Sequence, residues 1–127
     1  MIAIDTSALM AILLGEPEAA ACAAVLEAEA DIVISAGTLA EALIVAGRRN
    51  LQEELMRLVD GLGLEVAAVT TDTAVRIGAA YALWGKGVSP AALNFGDCFS
   101  DATAQERDCR LLYVGNDFAR TDIAGVL

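Results

Sequence analysis

Residues 2–14 read Ile2-Ala3-Ile4-Asp5-Thr6-Ser7-Ala8-Leu9-Met10-Ala11-Ile12-Leu13-Leu14. A short apolar run ends on an acid, two hydroxyl residues follow, and an apolar stretch then resumes. This order predicts a strand, a turn with a hydroxyl cap, and a helix over residues 8–14. The same order recurs along the chain. Ile32-Val33-Ile34 is a second β-branched run, and Ser35 then caps a helix lasting to about Arg49. Val66 to Val69 and Leu111 to Val114 read as third and fourth strands. Between them, helices are expected over residues 18–30, 50–62, 73–84 and 94–107. Gly85-Lys86-Gly87-Val88-Ser89-Pro90 reads as a loop. Strands alternating with helices predict βα units on a parallel sheet covered on both faces. The expected fold is a three-layer α/β/α domain over residues 1–127, with four or five short parallel strands.

The chain has 127 residues, 57% of them hydrophobic, and carries a formal charge of −10. No apolar run approaches the roughly 20 residues that span a bilayer. The N-terminus lacks the basic region of an export signal, so a cytoplasmic protein without membrane association is expected. The hydrophobic excess points to a buried interface with a second copy or a partner. Eighteen acids against eight bases argue against nucleic-acid binding through a basic surface. RNA binding therefore requires either a metal ion that reverses the local field or a basic partner covering part of the surface. Three cysteines without a Cys-x-x-Cys pair, and no histidine, make a zinc site unfavourable.

The carboxylates fall at informative places. Asp5 leaves the end of the first strand, where open α/β sheets bind ligands, although an acid there also serves as a helix cap. Glu41 is the only polar side chain in Leu39-Ala40-Glu41-Ala42-Leu43-Ile44-Val45-Ala46-Gly47. A helix apolar nearly all round is expected to be buried. Glu41 then needs a gap to solvent or a cation, with Arg48 two turns on as the structural alternative. Asp97 stands three residues after Asn94, which also fits a capping box. Asp101 follows one turn later, to one side of a core stripe formed by Cys98, Phe99 and Ala102. Asp117, in Gly115-Asn116-Asp117-Phe118, lies past the fourth strand amid ordinary turn chemistry. If these points converge, Asp5, Glu41, Asp97 and Asp117 meet at one sheet edge, a group that repels itself unless protonated or bound to a cation. Oxygen ligands alone select magnesium or manganese (Mg2+ or Mn2+).

The blocks Ile4-Asp5-Thr6-Ser7-Ala8, Gly15-Glu16-Pro17-Glu18, Ile34-Ser35-Ala36 through Glu41-Ala42, Pro90 to Phe99, and Gly115 to Asp122 occur in an order that resembles the PIN-domain ribonuclease toxins of the VapC type. The resemblance spans nearly the whole chain. It implies that Asp5, Glu41, Asp97 and an acid at the Asn116-Asp117 turn hold the catalytic metal, with Ser7 adding a hydroxyl or an ordered water. The implied reaction is divalent-metal-dependent endonucleolytic cleavage of RNA, leaving a 5′-phosphate. The ion would lower the pKa of a bound water and stabilise charge on the phosphoryl oxygens. A homodimer and a cognate VapB-type antitoxin with a basic, partly apolar tail are also implied, in a larger toxin–antitoxin assembly if the dimer assembles further. Related toxins often carry an aromatic residue at the place of Asp101 and an acid at the place of Asn116. Asp101 is accordingly either a fifth acid of the site or a surface change, and Asn116 competes with Asp117 for the fourth position.

A receiver-like magnesium-binding signalling domain is the main alternative from another class. It should show adjacent acids after the first strand and a lysine after a fifth strand. Here a single acid ends the first strand, and Lys86 lies in a loop. A haloacid-type phosphatase needs an aspartate where Ser7 stands. A catalytically inactive PIN-fold binding module is the remaining alternative, opposed by the intact Asp5, Glu41 and Asp97.

Overall fold

The computed structural model describes residues 1–127. Four short strands form one parallel sheet: β1 (Ile2–Ile4), β2 (Ile32–Ser35), β3 (Glu65–Ala67) and β4 (Arg110–Leu112). Their order is β3-β2-β1-β4. Ile2 pairs with Ile32 on one side and Arg110 on the other, and Ile4 pairs with Leu112. Six helices complete the chain: α1 (Thr6–Leu14), α2 (Ala19–Ala28), α3 (Ala36–Gly47), α4 (Gln52–Leu62), α5 (Thr71–Trp84) and α6 (Phe95–Arg107).

The two-residue period of the strands divides the core into two layers. Ile2, Ile4, Ile32, Ile34 and Leu112 face one way and pack with Leu9, Cys22, Leu26, Ala42, Ala46, Leu55 and Val59 of α1–α4. Ala3, Val33 and Leu111 face the other way, against Ile77 and Ala80 of α5 and Cys98, Ala102 and Ala104 of α6. This is the expected three-layer α/β/α arrangement. Fully burying each large aliphatic side chain contributes about 1.5–3 kcal/mol, so the nearly inaccessible Ile2, Ile4, Ile34, Leu111 and Leu112 make the centre of the sheet a major source of stability.

Several boundaries differ from the sequence expectation. Helix α1 begins at Thr6 rather than Ala8, because Asp5 is the cap and accepts the Ser7 backbone N–H. Helix α5 begins at Thr71, since Thr70 and Thr73 form a reciprocal capping box. Strand β3 is Glu65–Ala67 and is not a buried apolar strand: it lies at the sheet edge, and Val66 is exposed. Helix α3 is not buried all round either. Thr38, Ala42 and Ala46 face the core, whereas Ile44 is 58% exposed. Nor is Asp101 a solvated acid, being 3% exposed on α6. The three cysteines are unpaired. No single helix is long and apolar enough to cross a membrane.

Candidate metal centre

The carboxyl ends of β1, β2 and β4 are neighbours because those strands are adjacent and parallel. Four acids are gathered at this edge by different local devices. Asp5 leaves β1 in extended geometry, as a helix cap requires (φ −94, ψ 158). Its Oδ2 accepts the Ser7 backbone N–H at 3.1 Å and the Ser7 hydroxyl at 2.7 Å. The other carboxylate oxygen, Oδ1, accepts the Ser100 hydroxyl. Ser7 Oγ in turn accepts the Val114 backbone N–H at 3.0 Å, which ties the start of α1 to the exit of β4. With its own proton given to Asp5, Ser100 accepts from the Thr38 hydroxyl 3.2 Å away. Helices α1, α3 and α6 are thus joined through one carboxylate.

Glu41 projects from α3, whose N-cap is Ser35 at the end of β2. Arg48 does not neutralise it: no ion pair joins them, although both line one groove. Instead, Glu41 Oε1 accepts the Thr6 hydroxyl at 2.7 Å. The carboxylate also lies against the first turn of α6. A Cβ placed on Gly96 would stand 1.9 Å from Glu41 Oε2. Glycine at this position is what lets Glu41 sit beside Asp97.

Asp97 fills the third position of α6 and closes the capping box with Asn94. The Asp97 N–H donates to Asn94 Oδ1 at 2.8 Å, and Asp97 Oδ2 accepts the Asn94 N–H at 3.0 Å. Asp97 is therefore a capping-box acid, and it has a second property. Burial pushes its pKa from 3.8 up to about 7; the Asn94 N–H opposes the rise, and the charges of Asp5, Asp117 and Glu41 add to it. Asp97 is thus within electrostatic reach of all three other acids. Asp117 sits in the exposed turn after β4 and shares an open cavity with Asn116, Pro90 and Arg120. Asp101 is not with this group. It lines a different cavity, between α5 and α6, together with Asp122.

No three of these acids stand at ligand spacing around one point. Protein donors hold the inner oxygens of Asp5, Glu41 and Asp97 instead. The chemistry of the set nonetheless fits a hard divalent cation. All its donors are oxygen, and one buried member is held up near neutrality by burial and by its acidic neighbours, so a cation would be stabilised there. Sequence reasoning missed Thr6, Thr38, Ser100 and Gly96 as parts of this site. The signal was faint: three hydroxyls on helix faces that turn inward, and a glycine in the first turn of a helix, where glycine is otherwise unfavourable.

The comparisons bear on the family and the fold. Residues 2–124 match the family model described as PIN domain. The chain is similar to ribonuclease VapC36 of Mycobacterium tuberculosis, 44% identical over 124 residues, covering 94% of this chain and 89% of that protein. It is 40% identical to ribonuclease VapC30 of the same species over 126 residues, covering 97% and 96%. Its fold is similar to that of M. tuberculosis VapC20, described as a sarcin-ricin loop cleaving toxin, with TM-score 0.79 at 17% identity, covering 99% of this chain and 98% of that one. It is also similar to a chain of VapBC2 from Rickettsia felis bound to a promoter DNA fragment, with TM-score 0.73 at 18% identity, covering 100% and 98%.

Proposed function

This chain belongs to the PIN-domain family, and we propose that it is the toxin of a type II toxin–antitoxin pair, a divalent-metal-dependent endoribonuclease. The single observation that carries the reading is the gathering of Asp5, Glu41, Asp97 and Asp117, from four separate elements, at one end of the sheet, with Asp97 raised to about 7. Relatives named as VapC ribonucleases at 40–44% identity support the substrate class. VapBC assemblies with the same fold support an antitoxin partner.

In this reading Asp5, Glu41, Asp97 and Asp117 hold magnesium or manganese, and Asn116 stands beside Asp117 at the open side. When bound, the ion supplies a lowered pKa for water and charge stabilisation at phosphoryl oxygens. Water adds to phosphorus in line, the bond to the 3′ oxygen breaks, and a 5′-phosphate and a 3′-hydroxyl result. Ser7, Ser100 and Thr6 orient the carboxylates through the hydrogen bonds described above, so that little reorganisation is needed at the reacting phosphate. The −10 charge is compatible with RNA binding because a cation at the acidic edge reverses the field there. We further propose one PIN-like domain over residues 1–127, a cytoplasmic location, and a homodimer neutralised by a VapB-type antitoxin.

The test is cleavage of a panel of purified RNAs by wild type and Asp5→Asn, each with magnesium, manganese or chelator. Cleavage is expected only from the wild type with metal present. Equal cleavage by both proteins, or cleavage indifferent to chelator, would overturn the proposal. An inert wild type on every RNA would favour the binding-module alternative.

A further inference from the structure

The cavity between α5 and α6 lies outside the carboxylate edge and has no part in the proposed catalysis. It has a volume of about 230 Å³ and is lined by Arg76, Ala79, Ala80, Leu83 and Trp84 of α5, Asp101 and Gln105 of α6, and Asp122. That is below the scale of pockets for drug-sized ligands and suits one long side chain. Asp101 is 3% exposed, and its Oδ2 is sealed from solvent without a hydrogen-bond partner. No side chain of this protein pairs with it: Arg76 lines the cavity but forms no ion pair with Asp101 or Asp122. A buried carboxylate in this condition is costly unless a donor meets it.

We propose that this cavity is a binding site for the guanidinium group of an arginine presented by a polypeptide partner. Asp122 and the outer oxygen of Asp101, Oδ1, offer acceptors to a planar fork of donors, and the Gln105 amide offers a further acceptor. Leu83, Ala79 and Ala80 line the cavity as apolar surface for the aliphatic stem, and Trp84 lines it too, an aromatic ring of the kind that attracts a guanidinium. A hard metal ion fits less well, because it seeks six or more oxygens and half of this lining is apolar. Asp101 and Asp122 line the same cavity, so a single cation there faces both charges. The net charge of −10 favours a basic partner over an acidic one. The site stands whether or not the catalytic proposal does, since none of its residues belongs to the carboxylate edge.

Trp84 is the only tryptophan, so its fluorescence reports on the cavity directly. The experiment titrates the purified full chain with N-acetylarginine amide, with its neutral citrulline counterpart, and with a short blocked alanine peptide carrying one central arginine. A saturable change with a dissociation constant on the order of millimolar is expected for the arginine amide, and none for citrulline. Asp101→Asn should weaken binding at least about tenfold. Asp122→Asn, at an exposed position, should weaken it about threefold or more and decides the matter if the first variant does not fold. The peptide should bind at least as tightly as the amide. No saturation by arginine amide, equal binding of citrulline, or unchanged binding in the folded variants would overturn the site. Exclusion of the peptide while the amide binds would overturn the polypeptide source.

Discussion

Replacing Gly96 by alanine should separate catalysis from stability. The new Cβ would stand 1.9 Å from Glu41 Oε2, 2.7 Å from Cδ and 3.1 Å from Oε1. Ordinary contact begins near 3.4 Å, so the carboxylate must retreat by about 1.5 Å. That movement breaks the 2.7 Å bond from Thr6 and takes Glu41 away from Asp97. A displacement of about 1 Å in a catalytic constellation costs about 100-fold in rate, so a loss of that order is expected. Stability should change little. The obstructing atoms end a flexible side chain, whose shift to a poorer rotamer costs about 0.5–1.5 kcal/mol. Alanine over glycine inside a helix returns about 0.5–1 kcal/mol. The assay pairs initial rates of RNA cleavage with thermal unfolding, and includes the variant in a Glu41→Ala background. There the alanine should have no further effect on rate, because its effect acts through Glu41. Wild-type activity in Gly96→Ala, or additive losses in the double variant, would refute the reasoning.

Two other outcomes follow from the same site. In metal-free protein, Asp97 titrates at about 7 when folded against 3.8 as its ordinary value, so the fold favours the protonated form. Its contribution is then full below about pH 4 and lost as pH rises through about 7, by at most about 4 kcal/mol. Urea unfolding of wild type and Asp97→Asn in chelator should therefore show the wild type losing ground to the variant across that window; a flat difference would count against the raised pKa. Ser100→Ala removes the donor to Asp5 Oδ1 and leaves the buried Thr38 hydroxyl without that acceptor. A loss of about 1–3 kcal/mol in stability is expected, together with slower cleavage. Unchanged unfolding and unchanged rates would show that the buried hydroxyl chain does not position Asp5.

Much of the fold was legible because it rests on local periodicity. Ile2-Ala3-Ile4, Ile32-Val33-Ile34 and Leu111-Leu112 carry the strand signal in consecutive residues, and capping residues such as Asn94 with Asp97 mark helix starts. Glu41 stood out because an acid within an apolar helix conflicts with its surroundings, whereas Asp5 and Asp97 also fit helix caps and were nominated by their places after a strand and at a helix start, taken as a set. The face that each helix buries was less legible. Helix α3 looked uniformly apolar, yet it turns Ile44 outward, because only Thr38, Ala42 and Ala46 meet the core.

The sequence by itself determined the class of fold, the acidic residues available and the lack of histidine, since these rest on residue identity and on neighbours in the chain. Tertiary structure alone decided which partners those acids meet. Strand order put β1, β2 and β4 side by side, and helix packing brought Ser100 to Asp5, Thr6 to Glu41, and Gly96 against Glu41 across dozens of residues. It also sent Asp101 into a separate cavity with Asp122, one helical turn from Asp97. Hydrogen bonds and charge interactions act over a few ångströms of space, whatever the separation along the chain. For that reason residue identity and local spacing could nominate these acids, while their environments came only from the packed sheet and helices.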